Sequence, residues 1–119
     1  MVRILFYSLP TSIAQNTFVK DWDHRYGGTG GDEVEIFQQT SDRGYILGGT
    51  SESGMNGDKT QASQGGADFW IVKTDLSGNK LWDKQFGGLL QEELHALQQT
   101  NDGGYILGGF SNSINYPAH

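Results

Sequence analysis

Cysteine is absent from this 119-residue chain, proline occurs only twice, and the longest predominantly apolar run is the six residues Ile4–Leu9. Without Cys there is no disulfide framework, no thiolate nucleophile and no thiolate zinc site. Six apolar residues cannot span a bilayer as a helix, which needs roughly 20. Charge is also sparse. Charged residues make up 18% of the chain, below the usual quarter, and 8 basic against 14 acidic residues leave a net charge of −6. That balance disfavours a broad phosphate-neutralising surface, and with it nucleic acid as a partner. No segment carries a sustained helical period. What is abundant is glycine, 18 residues, together with six Phe, five Tyr and three Trp. Such a chain is turn-rich, and its aromatics supply the large apolar surfaces that disordered segments lack. The length fits one small domain.

The N-terminus carries two readings. Met1-Val2-Arg3, the apolar Ile4–Leu9 and the small-x-small Ser12-Ile13-Ala14 follow the order of a secretory signal, yet the apolar part is shorter than the usual 7–15 residues and Pro10 ends it. Residues 1–19 are therefore a clipped signal peptide or an N-terminal arm, the latter including a short edge strand before Pro10. Residues 20–119 form the repeat-bearing part.

An internal repeat is the dominant feature. Trp22-Asp23-His24-Arg25-Tyr26-Gly27-Gly28 returns as Trp82-Asp83-Lys84-Gln85-Phe86-Gly87-Gly88, and Gln38–Gly49 returns as Gln98–Gly109. The offset is 60 residues without a gap, and Trp22–Ser53 against Trp82–Ser113 gives 17 identities in 32 positions. Asp42-Arg43-Gly44 and Asp75-Leu76-Ser77-Gly78 lie between β-prone runs and read as hairpin connections, each ending in a Gly that takes positive φ after a type I turn. On that basis Gly44 and Gly104 are expected at positive φ, with Arg43 and Gly103 in ordinary turn geometry. Seven strands are predicted: Lys20–Tyr26, Val34–Thr40, Tyr45–Ser51, Phe69–Thr74, Lys80–Phe86, Leu94–Thr100 and Tyr105–Ser111. Phe69-Trp70-Ile71-Val72 is apolar at every position, which predicts burial on both sheet faces, with Phe69 and Ile71 opposite Trp70 and Val72. Trp70 and Trp82 are expected to be largely buried. Four antiparallel strands per repeat, covered on both faces, describe a β-propeller blade. The expected fold is all-β: antiparallel four-stranded β-propeller blades, one complete and flanked by partial neighbours.

The string Asp68-Phe69-Trp70-Ile71-Val72-Lys73-Thr74-Asp75-Leu76-Ser77-Gly78-Asn79-Lys80-Leu81-Trp82, then Phe86-Gly87-Gly88 and Gly104–Ser113, resembles the β-propeller repeat of secreted bacterial proteins. The resemblance covers about Lys20–Ser113. It implies a secreted or cell-surface location and a scaffold or binding role without a shared catalytic set. A propeller needs at least four blades, about 240 residues at this spacing. The chain is thus expected to be a section of a longer array, or a unit several copies of which close a ring. The Lys20–Tyr26 end offers a fourth strand and the Leu94–Ser111 end the first two. Only the third strand is missing from a head-to-tail blade, which makes such closure imperfect. Uncovered faces and edges predict self-association.

The repeat also acts as an internal control on chemistry, because packing and turn residues are needed in every unit whereas a catalytic residue is needed once. Trp22/Trp82, Tyr45/Tyr105 and Asp42/Asp102 therefore read as scaffold. Gly27-Gly28 and Gly48-Gly49 resemble a phosphate cradle, but no helix N-terminus follows them, and close strand approach is the better account. His24 holds the register of Lys84 and His95 that of Glu35, while His119 is terminal, so no histidine recurs at ligand spacing. Asp32-Glu33 and Glu92-Glu93 recur before a strand, where capping of backbone N–H groups is commoner than paired-acid hydrolysis. Glu52–Asp58 holds oxygen donors for calcium without the spacing of an EF-hand. No catalytic, cofactor-binding or metal-ligating residue is assigned, and no cofactor is expected. The reading is a non-catalytic binding or scaffold section of a secreted propeller, with an unknown ligand, protein or glycan. Two alternatives remain: an oligomeric glycan-binding propeller, and a section of a propeller enzyme, since Asp75–Trp82 is loosely similar to the turn of quinoprotein dehydrogenases.

Overall fold

In the computed structural model, which describes residues 2–8, 19–60, 66–87 and 90–111, all regular structure is antiparallel strand. The strands are β1 (Val2–Ser8), β2 (Val19–Tyr26), β3 (Asp32–Gln39), β4 (Tyr45–Ser51), β5 (Asp68–Thr74), β6 (Lys80–Phe86), β7 (Glu92–Gln99) and β8 (Tyr105–Ser111). They form three sheets: β1-β2, β3-β4-β5-β6 and β7-β8. All seven predicted strands are present, with β3 and β7 starting two residues earlier than expected. Of the two N-terminal readings, the run Val2–Ser8 takes strand conformation against β2; Pro10 and Ser12-Ile13-Ala14 lie outside the described residues.

The 60-residue repeat extends to irregularities of backbone pairing. Glu35 is the extra residue between Val34↔Gly49 and Ile36↔Gly48, and His95 is the extra residue between Leu94↔Gly109 and Ala96↔Gly108. Likewise Asp21 bulges between Phe6↔Trp22 and Tyr7↔Lys20, and Leu81 between Lys73↔Trp82 and Thr74↔Lys80. A bulge leaves one residue unpaired and bends the strand, so its recurrence at an offset of 60 marks equivalent strands. The second glycine of each Gly-Gly step has a steric cause: a Cβ at Gly49 would lie 1.7 Å from the Glu33 carbonyl, and one at Gly109 would lie 2.1 Å from that of Glu93.

The same registers correct one expectation. The third strand thought to be missing at the N-terminal end is β1. Phe6 and Lys73 face the equivalent Trp22 and Trp82, so Val2–Tyr7 aligns with Phe69–Thr74. Side chains agree: Trp70 Nε1 donates to Asp83 at 3.1 Å, and at the matching position Arg3 Nε donates to Asp23 at 2.9 Å. The prediction missed it because Val2-Arg3-Ile4-Leu5-Phe6-Tyr7 shares almost no residues with Phe69–Thr74 and its order of parts resembles a signal peptide.

Two apolar layers hold the sheets together. Tyr26, Tyr45, Leu47, Trp70 and Val72 are buried between the N-terminal and central sheets, with Ile4, Trp22 and Val34 packed against them. Ile46, Ile71, Leu94 and Leu97 form the second layer, between the central and C-terminal sheets, flanked by Ile36, Phe69, Trp82, Tyr105 and Leu107. Strand alternation thus sends Trp70 and Val72 to one layer and Phe69 and Ile71 to the other, as expected. An aromatic contact recurs at each interface: Trp22 and Tyr45 have ring centroids 5.5 Å apart, Trp82 and Tyr105 6.1 Å. Trp70 is buried, but Trp82 is only half-buried, which corrects that expectation; the equivalent Trp22 is half-buried too, so the position lies at the margin of its layer.

The β3–β4 hairpin corrects a second expectation. Positive φ belongs to Arg43 (74°) and, in the repeat, to Gly103 (86°), not to Gly44 and Gly104. The type I turn is Thr40–Arg43, closed by Arg43 N–H to Thr40 O at 2.9 Å, and the residue after its two central positions takes the left-handed conformation. Gly78, at φ 84°, holds that place in Asp75–Gly78 as predicted. Counting from the Asp misplaced the first turn by one residue, because Asp75 opens its turn whereas Asp42 is third in its own. Gly44 is required for a different reason: a Cβ there would sit 2.2 Å from Thr74 O.

Candidate functional site

The β4–β5 loop and the Gly27–Gly30 segment meet in a partly buried polar lattice. Four consecutive backbone N–H groups are taken by side chains: Gly27 by Asp58 (3.0 Å), Gly28 by Asp32 (3.0 Å), Thr29 by Asn56 (2.7 Å) and Gly30 by Ser53 (2.9 Å). A run of free N–H groups is what would hold a phosphate. Here the chain's own oxygens fill that role. Asp32 also accepts from the hydroxyls of Ser51 and Ser53. Burial pushes its pKa up, but the hydrogen bonds it accepts, those from Ser51, Ser53 and Gly28 N–H among them, leave the carboxyl below its usual range.

Lys59 is buried beside this carboxylate, donating to Ser51 Oγ at 2.9 Å and Ser53 O at 2.8 Å, with Trp70's ring 5.9 Å from its Nζ. Burial lowers its pKa, opposed by Asp32, Asp68 and Asp83. Asp83, opposed likewise by burial, is held low by Thr60 N–H, Trp70 Nε1, Lys80 and the Thr60 hydroxyl. Ser53, Asn56 and Asp58 of the Glu52–Asp58 loop thus commit oxygens to backbone N–H groups and to Lys59 and Lys80. Among the described residues no group of three or more His, Asp or Glu is placed to hold a metal ion.

Two grooves separate the central and C-terminal sheets. One, of about 240 Å³, is lined by Glu33, Glu35, Thr50, Glu52, Gln91 and Glu93, with Gly31 and Ala67. His95 lies at its edge, Nδ1 3.9 Å from Glu35 and Nε2 3.5 Å from Glu93. Glu35 and His95, the two equivalent bulge residues, are therefore neighbours in space because β7 packs beside β3. The second groove, of about 620 Å³, is apolar and is lined by Ile71, Trp82, Lys84, Phe86, Tyr105 and Leu107.

The structure places most of the singled-out residues in structural roles. Asp32 caps Gly28, Glu92 accepts from Ser111 at 2.8 Å as Asp32 does from Ser51, and Glu33 and Glu93 line the acidic groove. Asp42 and Asp102 each accept from the glycine N–H two residues on and from a threonine hydroxyl two before. His24 stacks on Tyr26 with centroids 6.1 Å apart. His119 and Gly88 lie outside the described residues. Lys59 and Asp83 were not singled out; Lys59 sits in the loop present only once, so the repeat gave no second copy against which to notice it. No protein-family model, curated protein or solved structure matches the chain.

Proposed function

We propose that this chain is a non-catalytic interaction scaffold, a section of a secreted or cell-surface β-propeller whose blades are the sheets described above. The observation that carries this reading is the use of the recurring residues. Trp22/Trp82 and Tyr45/Tyr105 pack between sheets, Asp42/Asp102 hold turns, Gly49/Gly109 permit strand approach, and Glu35/His95 occupy bulges. Repetition of packing and turn chemistry is what an array built to present a surface requires. Asp75–Trp82, the segment similar to a quinoprotein turn, is likewise accounted for by folding. Asp75 accepts from Ser77 N–H and Asn79 N–H, both at 2.9 Å, and Trp82 packs on Tyr105.

The ligand class is a protein or a glycan, and the experiment pairs a glycan array with turnover assays for hydrolysis and for dye-linked dehydrogenation with added quinone cofactor. Binding without turnover is the expected result. Turnover abolished by substitution of one non-recurring polar residue, such as Lys59 or Glu52, overturns the scaffold reading.

A further inference from the structure

We infer that the edge of β8 away from β7, at Tyr105–Gly109, docks β1 of a second copy of this chain, so that copies join head to tail through composite four-stranded sheets. The two ends of the chain are matched halves of the central sheet. β7–β8 repeats β3–β4 with its bulge and its Gly-Gly step, and β1–β2 repeats the pairing of β5–β6 with its bulge and its link to an Asp on the neighbouring strand. Among the described residues each of β1 and β8 pairs on one side only. An unpaired strand edge is a template for strand addition.

The central sheet specifies the register of that addition. β4 pairs β5 with Tyr45↔Thr74, Leu47↔Val72 and Gly49↔Trp70. Carried over, Tyr105 stands opposite Tyr7, Leu107 opposite Leu5, and Gly109 opposite Arg3 of the second copy. The apolar groove fits this occupant. In the central sheet Trp70 and Val72 of the third strand fill the layer shared with the preceding sheet; among the described residues the C-terminal sheet has two strands, and the groove between Trp82 and Leu107 lies where the side chains of a third would fall. Arg3 and Leu5 hold the matching positions, and Leu5, 41% exposed here, supplies the apolar side chain while Arg3 keeps its bond to Asp23. Ile106, 61% exposed, repeats Ile46, which is fully buried; the central sheet of the incoming copy would cover it.

The absence of Cys gives the test a silent background. Leu5→Cys and Leu107→Cys, purified as separate single variants, are mixed and treated with a short bismaleimide, with Leu5→Cys plus Phe110→Cys as control. Phe110 stands three residues along β8 from Leu107, about 10 Å at strand spacing, and on the other face. We expect cross-linked dimer from the first mixture and little from the second, and light scattering of the unmodified chain should give an assembly. If rings of four to eight blades form, that assembly holds about two to four copies. Ile106→Lys, at a position 61% exposed, should leave the folded monomer's circular dichroism unchanged and weaken association at least about tenfold. A chain that stays monomeric at high concentration, or equal cross-linking in both mixtures, overturns the inference. Open-ended polymers with in-register cross-links uphold it and overturn propeller closure instead, so the two readings fail separately.

Discussion

The central and C-terminal sheets share a five-residue strand segment that ends in different environments. Tyr45-Ile46-Leu47-Gly48-Gly49 and Tyr105-Ile106-Leu107-Gly108-Gly109 are identical, take the same strand conformation and pair with equivalent partners through the same bulge. Yet Ile46 is fully buried and Ile106 is 61% exposed. Local conformation therefore follows local sequence, while burial follows what stands beyond the sheet. Among the described residues the central sheet has neighbours on both faces, the C-terminal one on a single face. Identical residues thus measure the energetic value of a neighbour directly.

The largest effect expected from that comparison is at this isoleucine. Ile46→Ala should cost about 2–5 kcal/mol, as cavity-forming changes in a closed core do. Ile106→Ala, measured in dilute solution where copies are apart, should stay within about 0.5 kcal/mol, as exposed substitutions do. Urea titrations of the two variants check this, and equal losses would show that Ile106 is covered in the monomer. The comparison with Ile106→Ala at high concentration then isolates the part due to self-association.

Much of this architecture was legible in the sequence, for identifiable reasons. The seven strands are legible because glycine or Asp-containing turns and the 60-residue repeat mark most of their ends, and the opposed faces of Phe69–Val72 follow from alternation alone. β1 was legible only as one of two readings, since Val2–Tyr7 earns its place through pairing with β2 and not through likeness to β5. The polar lattice around Lys59 was not legible, because Asp32, Ser51, Ser53 and Asp58 are brought to it by loop folding and no periodicity links them. Turn geometry was half legible. Arg43 and Gly103 share the left-handed slot, and a variable slot was read as an unstrained one when it is in fact the position where Arg tolerates a cost that Gly avoids.

That slot gives the second test. Arg43→Gly should raise stability by up to about 1 kcal/mol, since a non-glycine residue in the left-handed region costs roughly 1–2 kcal/mol and glycine returns part of that as entropy. Gly44→Ala should do the reverse and lose more, because its Cβ meets Thr74 O at 2.2 Å and the Lys73 ammonium at 2.6 Å. Gly104→Ala is the control: its nearest neighbours among the described residues are the side-chain oxygens of Thr100 at 3.1 Å and Asp102 at 3.3 Å. Thermal melts of the three variants order the effects. A Gly104→Ala loss as large as that of Gly44→Ala would mean that the crowding at Gly44 does not come from β5.

The smallest expected effect is electrostatic and concerns the aspartates of the same two turns. Both carboxyls lie below the usual range, in each case chiefly through the threonine hydroxyl two residues before, Thr40 for Asp42 and Thr100 for Asp102. Among the described residues Asp42, and not Asp102, also has a cation: Lys73 Nζ, from the third strand, lies 3.0 Å from its carboxylate and helps bring it down to about 2. A carboxyl whose folded pKa lies below its unfolded value near 3.9 stabilises the fold above about pH 4, and that stabilisation disappears as the pH falls through the folded value. For Asp42 the window runs from about 4 down to about 2. Its side chain is 59% exposed, so solvent screening keeps the contribution to about 0.5 kcal/mol. Carbon-detected NMR titration should therefore place Asp42 below Asp102 in the wild-type chain. Lys73→Met, which keeps the buried stem and removes the charge, should raise Asp42 toward Asp102 and leave Asp102 where it was. If Asp102 instead titrates as low as Asp42 in concentrated protein but not in dilute protein, a cation from outside its own sheet has reached it. The head-to-tail register places Phe6 of the second copy, not a lysine, at the position equivalent to Lys73, so assembly through β1 should leave Asp102 unmoved.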